Sequence, residues 1–458
     1  MTANLTTQPT YAEQEETASL NFSARFQSSK ALQQKSHTII PGGAHTYAKG
    51  DDQYPENAPG FITKGKGCRV WDVDGNEFIE YGMGLRAVTL GHAYEPVIEA
   101  VSQQILLGSN FTRPARIELD CAEELLELID GAEMVKFAKD GSTVTGAAIK
   151  LSRAYTGRDK VAICADHPFF SSEDWFIGST PISSGIPQVT RDLTVKFRYN
   201  DLDSVKTLFE QYPDQIACVI LEPVKVDDPV DNFLHEVQRL CRDNGAIFIL
   251  DEMITGFRLH NGGGQKYYNI VPDLSAFGKG LGNGFAVSAL VGKREIMDLG
   301  GINHERERVF LLSTTHGAET HALAAAIATM QVYKTEGVIE FLHRQGEKLT
   351  EGIDQAIAHY QLQDYFEVIG KPCNLVYATR DEQKQPSQAY RTLFLQETIA
   401  RGFIMPSLVV SYSHTDEVIE QTVNAIAGAL SVYKQALENG IEGYLIGRPV
   451  KPVFRPFC

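Results

Sequence analysis

"ACVILEPV" (Ala217–Val224) and "NFLHEVQRLCRDNGAIFILDEM" (Asn232–Met253) decide the fold. The first reads as a short apolar strand. The second opens with Phe233, Leu234, Val237, Leu240 and Cys241 at helical spacing, stops at Gly245, and continues into a second apolar strand, "AIFILDEM". Strand, helix and strand at this separation form a right-handed parallel crossover, hence a doubly wound α/β sheet. Such sheets bind ligands beyond the carboxyl ends of their strands. Glu222 and Asp251 fall at those ends, and Lys279 follows the next apolar run.

Outward from this unit, "VWDVDGNEFIEY" (Val70–Tyr81) reads as two strands around the turn Asp74-Gly75. Pro96–Leu107 and Ile117–Ile129 have the periodicity of amphipathic helices. After about Thr335 helical segments alternate with short strands, ending in the amphipathic run Asp416–Leu437. We therefore expect a large α/β domain and a smaller α+β domain that packs with the N-terminal region. The chain's 458 residues suit two such cores.

Lys and Arg number 42 against 58 Asp and Glu, a net charge of −16, which argues against nucleic acid and anionic membranes as partners. Residues 1–36 are polar, without the basic start and apolar core of a signal peptide. The seven cysteines include no C-x-x-C pair, so neither a disulfide framework nor a metal site is expected. The expectation is a cytoplasmic protein acting on a small molecule.

Three pieces carry chemistry. "KDGSTVTGAAIKLSRAYTGR" (Lys139–Arg158) opens a helix with Gly141, Ser142 and Thr143, whose amides and hydroxyls can cradle a phosphate or simply cap the helix. Asp251 ends a buried strand with no basic neighbour in sequence. "SAFGKGLGNGFAVSAL" (Ser275–Leu290) sets Lys279 between two glycines and small apolar residues, where an unpaired lysine is unusual. Together they suit pyridoxal phosphate, which needs a lysine for its Schiff base, an acid for its ring nitrogen and a phosphate site. The spacing "GKGLGNG" does not match the G-x-G-x-x-G of a dinucleotide-binding oxidoreductase.

"LEPV", "LDEMITGFR" (Leu250–Arg258), "PDLSAFGKGLGNGFAVSALVG" (Pro272–Gly292) and "STTHGAETHALAAA" (Ser313–Ala326) resemble class III, fold-type I aminotransferases, in particular the glutamate-1-semialdehyde aminomutase group. The resemblance covers roughly residues 41–433. It implies a homodimer with a large domain over 106–335. The smaller domain would be built from 37–105 and 336–458, after a polar tail over 1–36. It implies Lys279 as the Schiff-base lysine and proton shuttle, and Asp251 at the pyridine nitrogen. Gly141, Ser142 and Thr143 would hold the phosphate, with Thr314 reaching that of the neighbouring subunit. Phe169 and Met253 would flank the ring, and Glu222 would sit near its hydroxyl.

The implied function is transfer of an amino group from a small-molecule donor to a carbonyl acceptor; the alternative is intramolecular amino transfer. The C-terminal "GRPVKPVFRPFC" (Gly447–Cys458) resembles the tails of class III members associated with surface-glycan or natural-product gene sets, a resemblance that implies a sugar or specialised metabolite as substrate. The turn "PGGAHTYAKG" (Pro41–Gly50) has Ala48 where the aminomutase carries an arginine for its substrate's carboxylate. Arg86, in "GMGLRAVTLGHAY", is the replacement candidate, with Tyr47 and His45 as further substrate candidates. Arg258 is expected in a structural ion pair, and His92 as a turn stabiliser.

Overall fold

The computed structural model describes residues 25–166 and 169–457. Part of the stretch expected as a polar tail is helical: α1 (Gln27–Ile39) starts where Asp74 accepts the Ser28 and Ser29 amides at 2.8 and 2.9 Å. Its buried groups are only Phe26, Ser29 and Ser36, with Phe26 stacked on Phe78, so hydrophobic periodicity could not reveal it. The rest of the expected tail, 1–24, lies outside the described residues. Strand β1 (Ile62–Lys66) then pairs antiparallel with β2 (Arg69–Asp72), and β2 with β3 (Glu77–Glu80). The turn between β2 and β3 contains Gly75 at φ +85°, a left-handed position suited to glycine.

Helices α2 (Glu95–Ile105) and α3 (Arg116–Leu128) lead to β4 (Met134–Ala138) and α4 (Gly141–Thr156). The strands β5 (Lys160–Cys164) and β6 (Thr194–Phe197) follow, then α5 (Leu202–Gln211), β7 (Ile216–Leu221), α6 (Phe233–Asp243) and β8 (Ile247–Asp251). Next come β9 (Leu274–Phe277) and β10 (Ser288–Gly292). Their sheet has the order β4-β10-β9-β8-β7-β5-β6, parallel except for β10. Every residue of β7 and β8 is buried, as strands covered on both faces require. The expected crossover is present: β7 and β8 pair in parallel, and α6 between them buries Phe233, Leu234, Val237 and Cys241. The α/β doubly wound reading is thus correct.

Beyond the sheet, α7 (Thr320–Thr335) packs on α2 and α3, and α8 (Val338–Tyr360) precedes the hairpin β11 (Phe366–Lys371) and β12 (Asn374–Thr379). Helix α9 (Gln388–Ala400), the two-residue β13 (Phe403–Ile404) and α10 (Asp416–Asn439) follow. Strand β13 pairs in parallel with β3, Phe403 opposite Ile79, so early and late segments share one sheet. The segment after α10 returns to the N-terminal region: the Lys451 amide donates to Asp52 O at 2.9 Å, and Val450 N to Thr392 Oγ1 at 2.8 Å. No helix among the described residues is long and apolar enough to cross a membrane.

Packing of α8 on the β11–β12 hairpin demands a residue without a side chain at Gly346, where an added Cβ would lie 1.8 Å from Pro372 O. In an exposed helix, alanine in place of glycine stabilises by about 1 kcal/mol. Here overpacking, typically about 1–3 kcal/mol, wins. Gly346→Ala is expected to lower the thermal midpoint; an unchanged or raised midpoint would refute this packing.

Candidate active site

The lysine among glycines is explained by close approach. An added Cβ on Gly278 would stand 2.6 Å from Met253 Sδ and 2.7 Å from Ser288 Oγ. One on Gly141 would stand 2.8 Å from the same sulfur. Met253 therefore bridges the start of α4 and the end of β9 only because both are glycine. Lys279 itself takes φ +43° in a single helical turn, Lys279–Gly282, a backbone costing about 1–3 kcal/mol for a residue with a side chain. Asn283 ties this turn to the loop after β3: its Oδ1 accepts Leu90 N–H at 2.9 Å, and its Nδ2 donates to Gly91 O at 3.1 Å.

Adjacent strand ends place Glu222 after β7 and Asp251 at the end of β8, both nearly inaccessible to water. Asp251 Oδ1 accepts Met253 N–H at 3.0 Å. Burial, reinforced by the Glu222 charge, pushes the Asp251 carboxyl up to about 7, against the pull of Lys279. Burial likewise raises Glu222. It lowers Lys279, outweighing the attraction of Asp251 and Glu222. The three charges interact, and burial is the largest influence on each. The neighbouring Glu252 also rises to about 7 through burial, but it accepts Gly264 N–H at 2.8 Å and Gln265 N–H at 2.6 Å. Its role is to hold that turn.

At the start of α4, Asp140 caps the helix, accepting Thr143 N–H at 2.9 Å and the Thr143 hydroxyl. Helix geometry leaves the Gly141 and Ser142 amides without intrahelical partners. Phe169 is half exposed, with its ring centroid 5.6 Å from that of Phe176 and 6.5 Å from that of Phe454. Thr314 lies on an exposed loop. His45 lines a cavity of about 560 Å³ with His37, Glu80 and His92, whereas Tyr47 is 68% exposed. His92 Nε2 meets Glu80 Oε2 at 2.6 Å.

Arg86 sits beside the charged cluster, where burial lowers it to about 10 and Arg258 adds repulsion. Its Nε donates to Asn374 Oδ1 at 2.9 Å. The expected ion pair of Arg258 is not found among the described residues. Arg258 instead donates to two carbonyls, Cys373 O at 3.2 Å and Arg86 O at 2.9 Å. It is only 1% exposed; backbone acceptors hold its Nη1 and Nη2, while its Nε has no hydrogen-bond partner among the described residues. Sequence reasoning did not find Lys225, whose charge acts on Glu222 and which directly follows "LEPV", or Arg391, which acts on Arg86. Neither sits in a motif that separates it from a surface cation.

The donor set fits pyridoxal phosphate: a buried amine, a buried carboxylate short of a cationic partner, and a helix start with unpaired amides. Fold and site thus define a pyridoxal-phosphate-dependent enzyme of fold type I. The class-III aminotransferase family model matches residues 51–429, and the chain belongs to that family. Glutamate-1-semialdehyde 2,1-aminomutase of Acetivibrio thermocellus is 34% identical over 424 residues, which cover 87% of this chain and 96% of the relative. An ω-transaminase from Sphaerobacter thermophilus superposes with a TM-score of 0.81 over 89% of this chain and 98% of its own, at 25% identity. The internal aldimine form of the Sphingopyxis sp. MTA144 FumI protein, solved with pyridoxal phosphate, gives 0.82 over 90% and 97%, at 24% identity.

A carboxyl raised from 3.8 to about 7 binds its proton more tightly folded than unfolded. Its stabilising contribution is therefore complete below about pH 4 and is lost as pH rises through 7. Cofactor-free Asp251→Asn, a neutral isostere, is expected to gain stability relative to the parent across that window. Melting both proteins across the range is the check; a difference independent of pH would refute the assignment.

Proposed function

We propose that the chain transfers an amino group from a small-molecule donor to a carbonyl acceptor through Lys279. The observation that carries this reading is the Lys279 amine, buried at the strand ends and shifted toward its neutral form by that burial. Bound pyridoxal phosphate supplies an aldehyde that takes amines and a sink for the electrons released at the substrate carbon. Lys279 Nζ, whose hold on its proton burial weakens, would be the amine presented to that aldehyde and then the base that takes and returns the proton at the substrate carbon. Asp251 holds negative charge where the ring nitrogen must stay protonated. Gly141, Ser142 and Thr143 receive the phosphate, the first two through their unpaired amides. Phe169 and Met253 bound the two ring faces, and Glu222 orients the hydroxyl side. Intramolecular amino transfer is the second reading, with which the aminomutase relative is equally compatible. The two differ in stoichiometry: the mutase consumes no separate donor and releases no keto acid.

The same reading makes the enzyme a cytoplasmic homodimer in which Thr314 serves the neighbouring subunit's phosphate. Exposed apolar side chains support it: Leu106 is 86% exposed, Leu107 73% and Phe310 71%. The 105–111 segment is tied to the Thr314 loop by Asn110 Nδ2 to Thr315 O at 2.9 Å and Thr320 N to Ser109 O at 3.0 Å.

Lys279→Ala is expected to lose the visible absorbance change that an amino donor causes, and to lose turnover by roughly 10²–10⁴-fold or more. An active Lys279→Ala enzyme refutes the role. Leu107→Asp is expected to shift sedimentation from dimer to monomer; a parent protein that sediments as a monomer refutes the shared site.

A further inference from the structure

A cavity of about 180 Å³ lies where three distant segments meet: Arg86 after β3, Arg391 on α9, and Lys451 beyond α10. Gln53, Tyr54 and Ser407 complete its polar wall, and no acid lines it. Three cations around one small cavity are unexpected in a chain of net charge −16. Several other basic side chains find acids: Lys293 meets Asp273, Lys334 meets Glu124 and Glu127, and Arg455, four residues past Lys451, meets Asp52. Among the described residues no ion pair joins Arg86, Arg391 or Lys451 to a carboxylate. Arg391 Nη2 donates to Pro406 O at 2.8 Å, and its guanidinium lies 4.9 Å from the Tyr377 ring centre. Lys451 is anchored through its backbone alone, to Asp52 O and from Gln53 Nε2, leaving its ammonium uncommitted.

Clustered cations cost repulsion and desolvation unless an anion offsets them. The cavity adjoins the catalytic crevice through Arg86, whose charge is felt at both Glu222 and Lys279. Two guanidinium groups with an ammonium match an oxyanion, which arginine can grip through two parallel N–H donors.

The geometry points to this cavity as an oxyanion subsite: the substrate of the amino transfer carries a carboxylate or phosphate that Arg86, Arg391 and Lys451 bind. The inference rests on the aminotransferase reading of the adjoining crevice and adds the substrate's chemical class. It makes the C-terminal segment part of the substrate site, although Lys451 lies outside the span matched by the family model.

The test titrates the cofactor-loaded full chain with glutarate, inorganic phosphate and uncharged glutaramide, by calorimetry. Glutarate or phosphate is expected to bind the parent protein, the tighter of the two naming the oxyanion. Lys451→Gln is expected to weaken that anion about tenfold, the loss of one charge-assisted contact, while Lys451→Arg restores it. In turnover, Lys451→Gln should raise KM for anionic acceptors more than it lowers kcat, and affect neutral acceptors little. Arg391→Gln gives a second measurement on the same wall. Equal binding of anionic and neutral probes, or an unchanged anion affinity in Lys451→Gln, overturns the inference. A parent protein that fails to take up pyridoxal phosphate defeats the aminotransferase reading alone, because the anion titration then decides the subsite by itself.

Discussion

Keeping an amine and two carboxylates out of water, at the ends of neighbouring parallel strands, is the constraint that orders this molecule. Each group would be cheaper on the surface, where no residue need give up hydration. The sheet holds them by register: β7 and β8 pair so that Leu221 stands opposite Leu250, which brings Glu222 and Asp251 to one edge. The turn after β9 delivers Lys279 to the same edge in a strained backbone. Burial then shifts all three toward their neutral forms, so the attraction between them does not fully offset the cost. Such an arrangement suits a ligand that brings its own charges. On the proposed reading a protonated ring nitrogen would answer Asp251, and an aldehyde the amine.

Glycine is the second half of that constraint. Met253 reaches both the start of α4 and the end of β9 because Gly141 and Gly278 present only backbone to it. The start of α4 and the lysine turn can thus be held by one side chain. The cost is borne locally, in positive φ at Lys279 and in the conformational freedom of the flanking glycines.

Much of this was legible in the chain. Fully apolar runs such as "AIFIL" declare buried parallel strands, and the Phe233–Cys241 periodicity declares the crossover helix. Lys279 and Asp251 stood out because a charged residue within apolar, small-residue surroundings violates the ordinary pattern. What stayed hidden lacks that contrast. Helix α1 buries little apolar surface and depends on the Asp74 carboxylate, which is supplied by a distant turn. Arg258 looked like half of an ion pair because its partners are backbone carbonyls, which sequence does not display. The cap by which Asp140 holds the Thr143 amide and hydroxyl was likewise not displayed by the sequence.

The substrate side was the least legible, and topology explains why. Arg86, Arg391 and Lys451 come together because β13 pairs with β3 and the segment after α10 turns back to Asp52 and Gln53. No local pattern distinguishes these cations from the solvated ones of helices and loops. The chemistry common to the family is written into strand ends, where burial enforces residue type. On the proposed reading, the selectivity of this chain is carried on its peripheral segments, where one ammonium can be added or removed with little consequence for folding. An acidic protein that gathers three cations without an acid, beside a lysine-bearing crevice, spends electrostatic stability on a site; anion recognition is the return consistent with that arrangement.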